Sequence, residues 1–358
     1  MESEIIVGWS LTKMCNLACI HCYNDSGKRK HDELTTEEAL KVVDKLANTN
    51  VKAVNFGGGE CALRPDFLEI CRALVERDIK ISYTTNGTTL EYIESELDLF
   101  HDIGVSLDFA DAKNHDLFRG REGTFDKAVE SIDKLVEAGV ETEIVTCLTK
   151  LNSTEEELSR LHGLAKEHNV GSWRLNRYRA TGRAVYNDSF LGFNIEQLTR
   201  AFDFLNSLRK DKDSIVSEPV FRAIYGGPYQ IKGDPSGRYS FRIQVNGEVT
   251  PSVFLSESGG NIKNKSIDEL MDSEIFKKIR DRKPAGKCVS CNEYYHCNGG
   301  DAGMSYLAYG HFNGPDPMCF KDISLAKNKE VVESIAENPN VHALYLCTLY
   351  IPIGDNHE

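Results

Sequence analysis

Strand and helix signals alternate strictly through the first half of the sequence. Six short apolar runs rich in β-branched residues predict buried strands: EIIVGWSL, VKAVNF, IKISYTT, IGVSLDF, ETEIVTCL and SWRLNRY. Amphipathic segments lie between them, with start and stop signals at Thr35 with Glu38, Thr154 with Glu157, Pro65 and Gly139. Six βα units predict an α/β fold whose parallel sheet has right-handed crossovers and forms a curved sheet or partial barrel.

A loop with three cysteines directly follows the first predicted strand. The stretch KMCNLACIHCYN contains Cys15, Cys19 and Cys22, and functional groups in such folds gather beyond the carboxyl ends of the strands. Three thiolates could bind three irons of a cubic 4Fe-4S cluster and leave the fourth iron open to a ligand. A zinc site with a remote fourth ligand, or plain thiols on one helix face, would also fit this spacing.

Composition limits the compartment and the partners. The 358 residues carry a net charge of -13, which argues against a nucleic-acid partner, and GKRKH at residues 27–31 is interpreted as a solvated loop. No apolar run approaches the length of about 18 residues that a membrane span needs, and the N-terminus lacks an export signal. We therefore expect a cytoplasmic protein with no membrane partner, in which grouped cysteines bind metal.

The pattern changes after residue 180. Asn246 and Gly247 separate two strand-like runs, which predicts a hairpin, and the helix-like SIDELMDSEIFKKIRD follows. A second cysteine group comes next, in GKCVSCNEYYHCNGGDAGM and the later DPMC: Cys288, Cys291, Cys297 and Cys319. Four thiolates of this kind fit a structural zinc site or an iron-sulfur cluster equally well.

The first half resembles the radical S-adenosylmethionine (SAM) enzymes over roughly residues 4–184. The resemblance is carried by the spacing of the three cysteines, by FGGGECALRPDF with its Gly58, Gly59 and Glu60, and by YTTNG. The segments VSLDFADAKNHDLFRGREGTFDKAVESI and RLNRYRATGRA resemble strands four and six of one subgroup. This resemblance implies a partial (β/α)6 TIM-like barrel.

The resemblance also implies a chemistry. The open iron of the cluster would chelate SAM, and an electron from a flavodoxin- or ferredoxin-type reductant would break its sulfur to 5′-carbon bond. The 5′-deoxyadenosyl radical would then take a hydrogen atom from substrate. Family resemblance assigns cofactor contacts to His21 (adenine), to Gly58, Gly59 and Glu60 (the SAM amino group), and to Ser106, Arg119 and Asn86 (ribose or carboxylate). Ser106 could instead be an ordinary strand serine, and Arg119 could cap a helix.

The second cysteine group resembles the SPASM/twitch-type extension, which in its full form holds two auxiliary 4Fe-4S clusters. The four ligands of the outer cluster are present. Those of the inner cluster are missing, because Ser252 and Asp301 replace two cysteines and no cysteine pair precedes the hairpin. We therefore predict one auxiliary cluster bound by four cysteines. Val253 replaces the aspartate that serves as a base in the sulfatase-maturating enzymes, which puts that base step in doubt here.

These patterns predict four regions: a radical SAM core at 1–184, a helical linker at 185–235, a SPASM/twitch-like iron-sulfur domain at 236–320, and a C-terminal helix with an apolar tail at 321–358. The alternation in the tail predicts a strand that covers the core, with a partner-binding edge as the alternative.

Four cysteines remain outside these groups. Cys71 is interpreted as core packing, and Cys147 and Cys347 carry no signal that can be separated from burial. Cys61 replaces the usual proline beside Glu60, at the expected mouth of the SAM site. Its thiol could return a hydrogen atom to a substrate radical, or it could simply fill space.

The resemblance favours modification of a peptide or protein by cross-linking, epimerisation or oxidation. Chemistry on a small molecule such as a sugar or tetrapyrrole is the alternative. Because the chain begins almost at strand one, we expect no separate leader-peptide-binding domain, so that peptide recognition would use a second protein or none. Two non-enzymatic alternatives are an iron-sulfur electron-transfer protein and a zinc-binding module.

Overall fold

The computed structural model describes residues 4–209, 218–226, 233–319 and 349–353. Its described strands form one ten-stranded sheet in the order β10-β6-β5-β4-β3-β2-β1-β7-β8-β9. The strands are β1 (Ile5–Thr12), β2 (Val51–Gly58), β3 (Lys80–Thr85), β4 (Asp102–Ser106), β5 (Thr142–Leu148), β6 (Ser172–Arg177), β7 (Ser240–Ile243), β8 (Glu248–Thr250), β9 (Gly260–Asn261) and β10 (Leu349–Pro352).

The six predicted strands are confirmed as β1 to β6, and each pairs in parallel with the next. Helices cross over between them in the α/β pattern expected of a TIM-like barrel. The described α-helices are α1 (Thr36–Ala47), α2 (Phe67–Val75), α3 (Ala112–Arg119), α4 (Thr124–Glu137), α5 (Glu155–Glu167), α6 (Asp188–Leu191), α7 (Ile195–Ser207), α8 (Pro219–Tyr225), α9 (Ile267–Met271), α10 (Glu274–Arg280), α11 (Tyr294–Cys297) and α12 (Ala302–Tyr309). None of these helices is long and apolar enough to cross a membrane.

Apolar side chains on both faces of the parallel strands build the core. Trp9, Phe56, Tyr83 and Trp173 are fully or almost fully buried, and they join the apolar stripes of the flanking helices in one continuous cluster. This burial on both faces explains why the strands read as unbroken apolar runs.

The local helix signals are confirmed in part. Thr35 and Glu38 form a reciprocal capping box at the start of α1. Thr154 caps α5, but the Glu157 side chain accepts a hydrogen bond from the Ala110 backbone at 2.6 Å instead of closing the box. Pro65 precedes the cap of α2 and does not lie in its first turn.

The predicted hairpin is present and extends the core sheet. β7 and β8 pair in antiparallel fashion across the Asn246-Gly247 turn, and β7 pairs in parallel with β1. The predicted SPASM/twitch-like region therefore shares a sheet with the barrel. The helix-like segment before the second cysteine group forms two helices, α9 and α10, which are interrupted at Asp272 and Ser273.

The C-terminal tail closes the opposite edge of the sheet. β10 pairs in antiparallel fashion with β6, so the tail contains the strand expected from its apolar alternation. The predicted helix at the start of the 321–358 region and Cys347 lie outside the described residues.

Candidate functional site

A cavity of about 270 Å³ lies at the carboxyl ends of the parallel strands. Every residue predicted from the resemblance to bind SAM or its cluster lines this cavity: Cys15, Cys19, His21, Cys22, Gly58, Gly59, Glu60, Asn86, Ser106 and Arg119. They come from the loop after β1, the ends of β2 to β4, and the end of α3. The parallel topology therefore brings residues up to about a hundred positions apart to one site.

Two glycines hold the cysteine loop against the end of β2. The backbone N–H groups of Gly59 and Glu60 donate to the carbonyl oxygens of Thr12 and Met14 at 2.7 and 2.8 Å. A Cβ on Gly59 would lie 2.0 Å from the Met14 oxygen. Gly58 has a φ of +104°. Only glycine permits this close approach of the loop to the strand, which places the three cysteines at the cavity.

The cysteine loop carries groups that can stabilise bound thiolates. Burial raises the pKa of Cys15 to about 11 and also raises the pKa of Cys19, so both stay protonated until a metal displaces the proton. An Arg119 nitrogen lies 3.9 Å from the Cys19 sulfur, and the Ser26 backbone N–H donates to the Cys22 sulfur at 3.4 Å. Positive charge and N–H donors stabilise sulfur ligands once metal displaces their protons. The donor set therefore fits a cluster bound by three cysteines.

A site for a single metal ion would need several ligands close to one point. Among the described residues, no three Cys, His, Asp or Glu side chains converge on one point that could hold an ion. A cluster does not require that convergence, because each sulfur binds a different iron.

Glu60 is a buried anchor. Its carboxylate accepts hydrogen bonds from the hydroxyls of Tyr83, Thr85 and Thr89 and from the Asn86 backbone N–H. Burial raises its pKa, although these donors oppose the shift. Its oxygens therefore fix the ends of β2 and β3 to each other.

Asn86 connects the end of β3 to the cysteine loop. Its amide nitrogen donates to Asn16 at 3.0 Å, and its amide oxygen accepts from both the backbone N–H and the hydroxyl of Thr88. The side chain therefore positions the loop while it lines the cavity.

Arg119 is held by a buried ion pair at the end of α3. Its guanidinium contacts the Asp108 carboxylate at 2.7 and 2.5 Å. Burial alone would lower the pKa of Arg119, but the Asp108 charge raises it, so the group stays a cation. Asp108 also accepts from the Cys147 backbone at 2.8 Å, which aligns the ends of β4 and β5.

His21 is a neutral ring beside the cysteines. It stacks on Phe118 with ring centroids 4.0 Å apart, and burial lowers its pKa to about 3. Its Nδ1 has no hydrogen-bond partner among the described residues. Ser106 is the last residue of β4 and also lines the cavity.

The sequence interpretation missed four arginines and one aromatic residue that line the same cavity: Arg174, Arg177, Arg179, Arg242 and Phe254. Val253, which was singled out because it replaces an aspartate, lines the cavity too. The signal was present in RLNRYR, where charged residues interrupt a strand that is otherwise buried. A buried cation needs a partner, and Arg174, Arg177 and Arg179 pair with the buried carboxylates of Glu143, Glu218 and Asp301, respectively.

Cys61 does not line the cavity. Its side chain is fully buried in the apolar core, and its thiol contacts the Gly57 carbonyl oxygen at 3.4 Å. Burial raises its pKa well above the ordinary value. This position favours the space-filling alternative over hydrogen-atom donation.

The four cysteines of the second group line a separate cavity of about 300 Å³. They are positioned by a 3-10 turn at Gly286–Cys288, by α11, and by the loop that leads to residue 319. Burial raises the pKa of Cys297 to about 12, and the Lys287 ammonium donates to the Cys319 carbonyl oxygen at 2.9 Å. The donor set fits a site closed by four thiolates.

The two residues that replace inner-cluster cysteines lie close together. A Cβ on Gly303 would be 3.0 Å from the Ser252 hydroxyl and 3.2 Å from the Asp301 carboxylate. Asp301 caps α12 and forms an ion pair with Arg179 at 3.3 Å. Polar contacts and a salt bridge therefore occupy the place where the resemblance expects inner ligands.

Comparisons with known proteins agree with this geometry. The family model of the Radical SAM superfamily matches residues 9–165, and that of the SPASM iron-sulfur cluster-binding domain matches residues 235–292. The chain is 30% identical to mycofactocin maturase MftC of Mycolicibacterium smegmatis, over 89% of this chain and 83% of that protein. It is 29% identical to the AdoMet-dependent heme synthase of Methanosarcina barkeri, over 88% of this chain and 95% of that protein. Streptococcus suis SuiB bound to S-adenosylmethionine has a similar fold, with a TM-score of 0.69 at 17% identity over 89% of this chain and 77% of SuiB.

Proposed function

This chain belongs to the radical SAM superfamily, and from that premise we propose that it cleaves SAM reductively and abstracts a hydrogen atom from a peptide or protein substrate. One observation carries the proposal. A single cavity collects the three cysteines of the loop after β1 together with the strand-end residues that the resemblance assigns to SAM.

When bound, the cluster and SAM supply one-electron cleavage to a 5′-deoxyadenosyl radical. The chain's own residues provide placement. Cys15, Cys19 and Cys22 would hold three irons, and Arg119 supplies a fixed positive charge beside Cys19. The backbone at Gly58 and Gly59 presents the SAM amino-group site.

Three side chains complete the proposed SAM site. His21 is a neutral ring stacked on Phe118, which suits it to lie beside adenine. Ser106 and Asn86 line the remaining polar wall.

We infer one auxiliary 4Fe-4S cluster, held by Cys288, Cys291, Cys297 and Cys319. The shared cavity of these four cysteines supports this inference, as does the salt bridge between Asp301 and Arg179 at the inner position. A cluster with four protein ligands suits electron transfer better than direct binding of substrate. A flavodoxin- or ferredoxin-type protein is the proposed reductant.

The similarity to mycofactocin maturase MftC supports the peptide substrate. The similarity to AdoMet-dependent heme synthase supports a second candidate, a tetrapyrrole or other small molecule. Both relatives match most of this chain at nearly the same identity, so the reaction must be decided by assay.

The test is anaerobic reconstitution followed by measurement of iron, sulfide and zinc per chain and of 5′-deoxyadenosine formed from SAM. We expect about eight irons and reductive SAM cleavage with dithionite or with reduced flavodoxin. Cys19→Ala should abolish the cleavage because it removes a cluster ligand. Cys71→Ala, which makes the same change at a buried thiol away from the cavity, should not.

Two results would contradict the proposal. Zinc at both cysteine groups would indicate a zinc-binding module. Eight irons without any 5′-deoxyadenosine would indicate an electron-transfer protein.

A further inference from the structure

The segment that follows β6 lies against the cysteine loop. It contains Thr181 and a 3-10 helix at Gly182–Asn187, and none of its residues lines the SAM cavity. It contacts the backbone of the loop instead. Hydrogen bonds from this 181–187 segment reach the carbonyl oxygens of Cys19, Ile20, Cys22, Tyr23 and Ser26.

These carbonyl groups depend on partners outside the loop. Residues 15–26 form no helix or strand, so the loop cannot pair its backbone groups in a regular pattern. The hydrogen bonds from Gly59 and Glu60 hold its beginning, at Thr12 and Met14. The 181–187 segment holds the part that carries the second and third cysteines.

Arg183 makes the most contacts of the segment. Its backbone N–H donates to the Cys22 carbonyl oxygen at 2.9 Å. Its guanidinium donates to the carbonyl oxygens of Cys19 at 3.1 Å and Ser26 at 2.5 Å, and it forms an ion pair with Asp25 at 3.3 Å. Because the donors of a guanidinium point in fixed directions, this side chain joins residues on both sides of the third cysteine.

Gly182 and Asn187 bring the segment close to the loop. Gly182 has a φ of +58°, and a Cβ there would lie 2.2 Å from the Tyr23 carbonyl oxygen. The Asn187 amide nitrogen donates to the Ile20 carbonyl oxygen at 2.8 Å. The absence of a side chain at Gly182 allows the two backbones to approach.

We propose that Arg183 is a positioning residue for the first cluster, because it fixes the backbone that carries the Cys19 and Cys22 thiols. This inference rests on the proposed radical SAM function, which requires that cluster. Three sulfurs can bind three irons of one cluster only while the backbone keeps their spacing. Replacing a residue that orients metal ligands without touching the metal typically costs about 10–100-fold in metal affinity or activity.

The test follows the release of iron from the reconstituted full chain to a chelator without oxygen. We expect about four irons to leave Arg183→Met about tenfold or more faster than they leave the wild type. The iron of the second cysteine group should leave at the wild-type rate, which a general loss of stability would not spare. Arg183→Lys should fall between the two proteins, because one ammonium cannot reach both carbonyl oxygens. Arg200→Met, at an exposed arginine on α7, is the matched control.

Two glycine variants separate the contact from backbone strain. Gly182→Ala and Gly139→Ala both place alanine at a positive φ, but a Cβ at Gly139 would meet nothing within 4 Å. We expect fast release of iron from the first group in Gly182→Ala and wild-type release in Gly139→Ala. Equal release from the two variants would count against the contact.

A measurement without metal covers the case in which Arg183→Met takes up too little iron. Alkylation of the full chain before reconstitution, resolved by peptide mass spectrometry, reports the protection of each buried thiol. We expect Cys19 to react several times faster in Arg183→Met than in the wild type, because the loop opens locally. Cys71, which is fully buried in the core, should keep its rate.

Two results would overturn the inference. The first is an Arg183→Met protein with wild-type iron release and wild-type alkylation of Cys19. The second is equally faster release from both cysteine groups together with faster alkylation of Cys71, which would indicate a general loss of stability. Failure of the radical SAM function itself would be distinct, since the wild type would then form no 5′-deoxyadenosine while the variants still differed in iron release.

Discussion

The two cysteine groups are held by different means. The loop with Cys15, Cys19 and Cys22 is fastened to the edge of the sheet by backbone hydrogen bonds at Gly59 and Glu60. The second group is carried by a 3-10 turn, the four-residue helix α11 and a loop, none of which belongs to the sheet. We infer that the first site is organised by the fold before metal binds, whereas the second depends more on its metal for order.

The largest expected effect comes from breaking the attachment of the first loop. Gly59→Ala would place a methyl group 2.0 Å from the Met14 oxygen, so the loop must move away from β2. Overpacking of this kind costs about 1–3 kcal/mol of folding stability. We expect loss of the iron bound by the first group and of nearly all 5′-deoxyadenosine formation, measured on reconstituted protein.

Gly27→Ala is the control for this change. Gly27 lies on the same loop, but a Cβ there would meet nothing within 4 Å. An active Gly59→Ala enzyme with full iron content would show that the loop is not fixed by this contact.

The next effect should appear at the second group. The double variant Cys288→Ala, Cys291→Ala should lose about four of eight irons per chain. Its Tm should fall more than that of a Cys19→Ala variant, because the sheet does not support the second site. SAM cleavage without substrate should persist, since the first site is untouched.

Iron and zinc analysis with calorimetry would check this prediction. Equal falls in Tm would mean that the two sites are equally organised before metal binds. Loss of one zinc instead of four irons would make the second site structural.

A smaller effect concerns the inner position, where Asp301 replaces a cysteine. Burial raises the pKa of Asp301 to about 6. The positive charge of Arg179 lowers this pKa, whereas the nearby carboxylates of Asp234, Asp316 and Glu218 raise it. The folded chain therefore binds this proton more tightly than the unfolded chain. As pH rises from about 4 to about 6, this group lowers the free energy of unfolding by at most about 1.4 kcal/mol per unit.

Asp301→Asn should remove that slope, because the amide does not titrate. Denaturant unfolding at several pH values would measure it, with the exposed Asp98→Asn as control. An unchanged pH profile in Asp301→Asn would show that Asp301 is ionised throughout this range.

The smallest effect is expected at Cys61, beside the first loop but outside the cavity. Cys61→Ala removes one sulfur from the core, so we expect a modest loss of stability and wild-type product formation. Product analysis with substrate would check this. SAM cleavage without product formation in this variant would instead support Cys61 as the hydrogen-atom donor.

Residue patterns predicted much of the site because each pattern is local. The three cysteines, Gly58 with Gly59, and Glu60 lie in short segments at strand ends, and parallel strands bring such ends together. The pattern predicted less about what each side chain contacts. Glu60 was expected to help hold the SAM amino group, and the structure adds that its carboxylate accepts four hydrogen bonds from the protein, three of them on one oxygen.

The sequence by itself determined the six βα units, the cysteine loop and the four-cysteine group, because periodicity and spacing depend on neighbours along the chain. Only the tertiary structure decided that β7 joins β1 in one sheet, that Cys61 faces the core, and that arginines from β6 and β7 line the cavity. These features depend on packing between distant segments. A local pattern carries no information about which distant residue lies across the cavity.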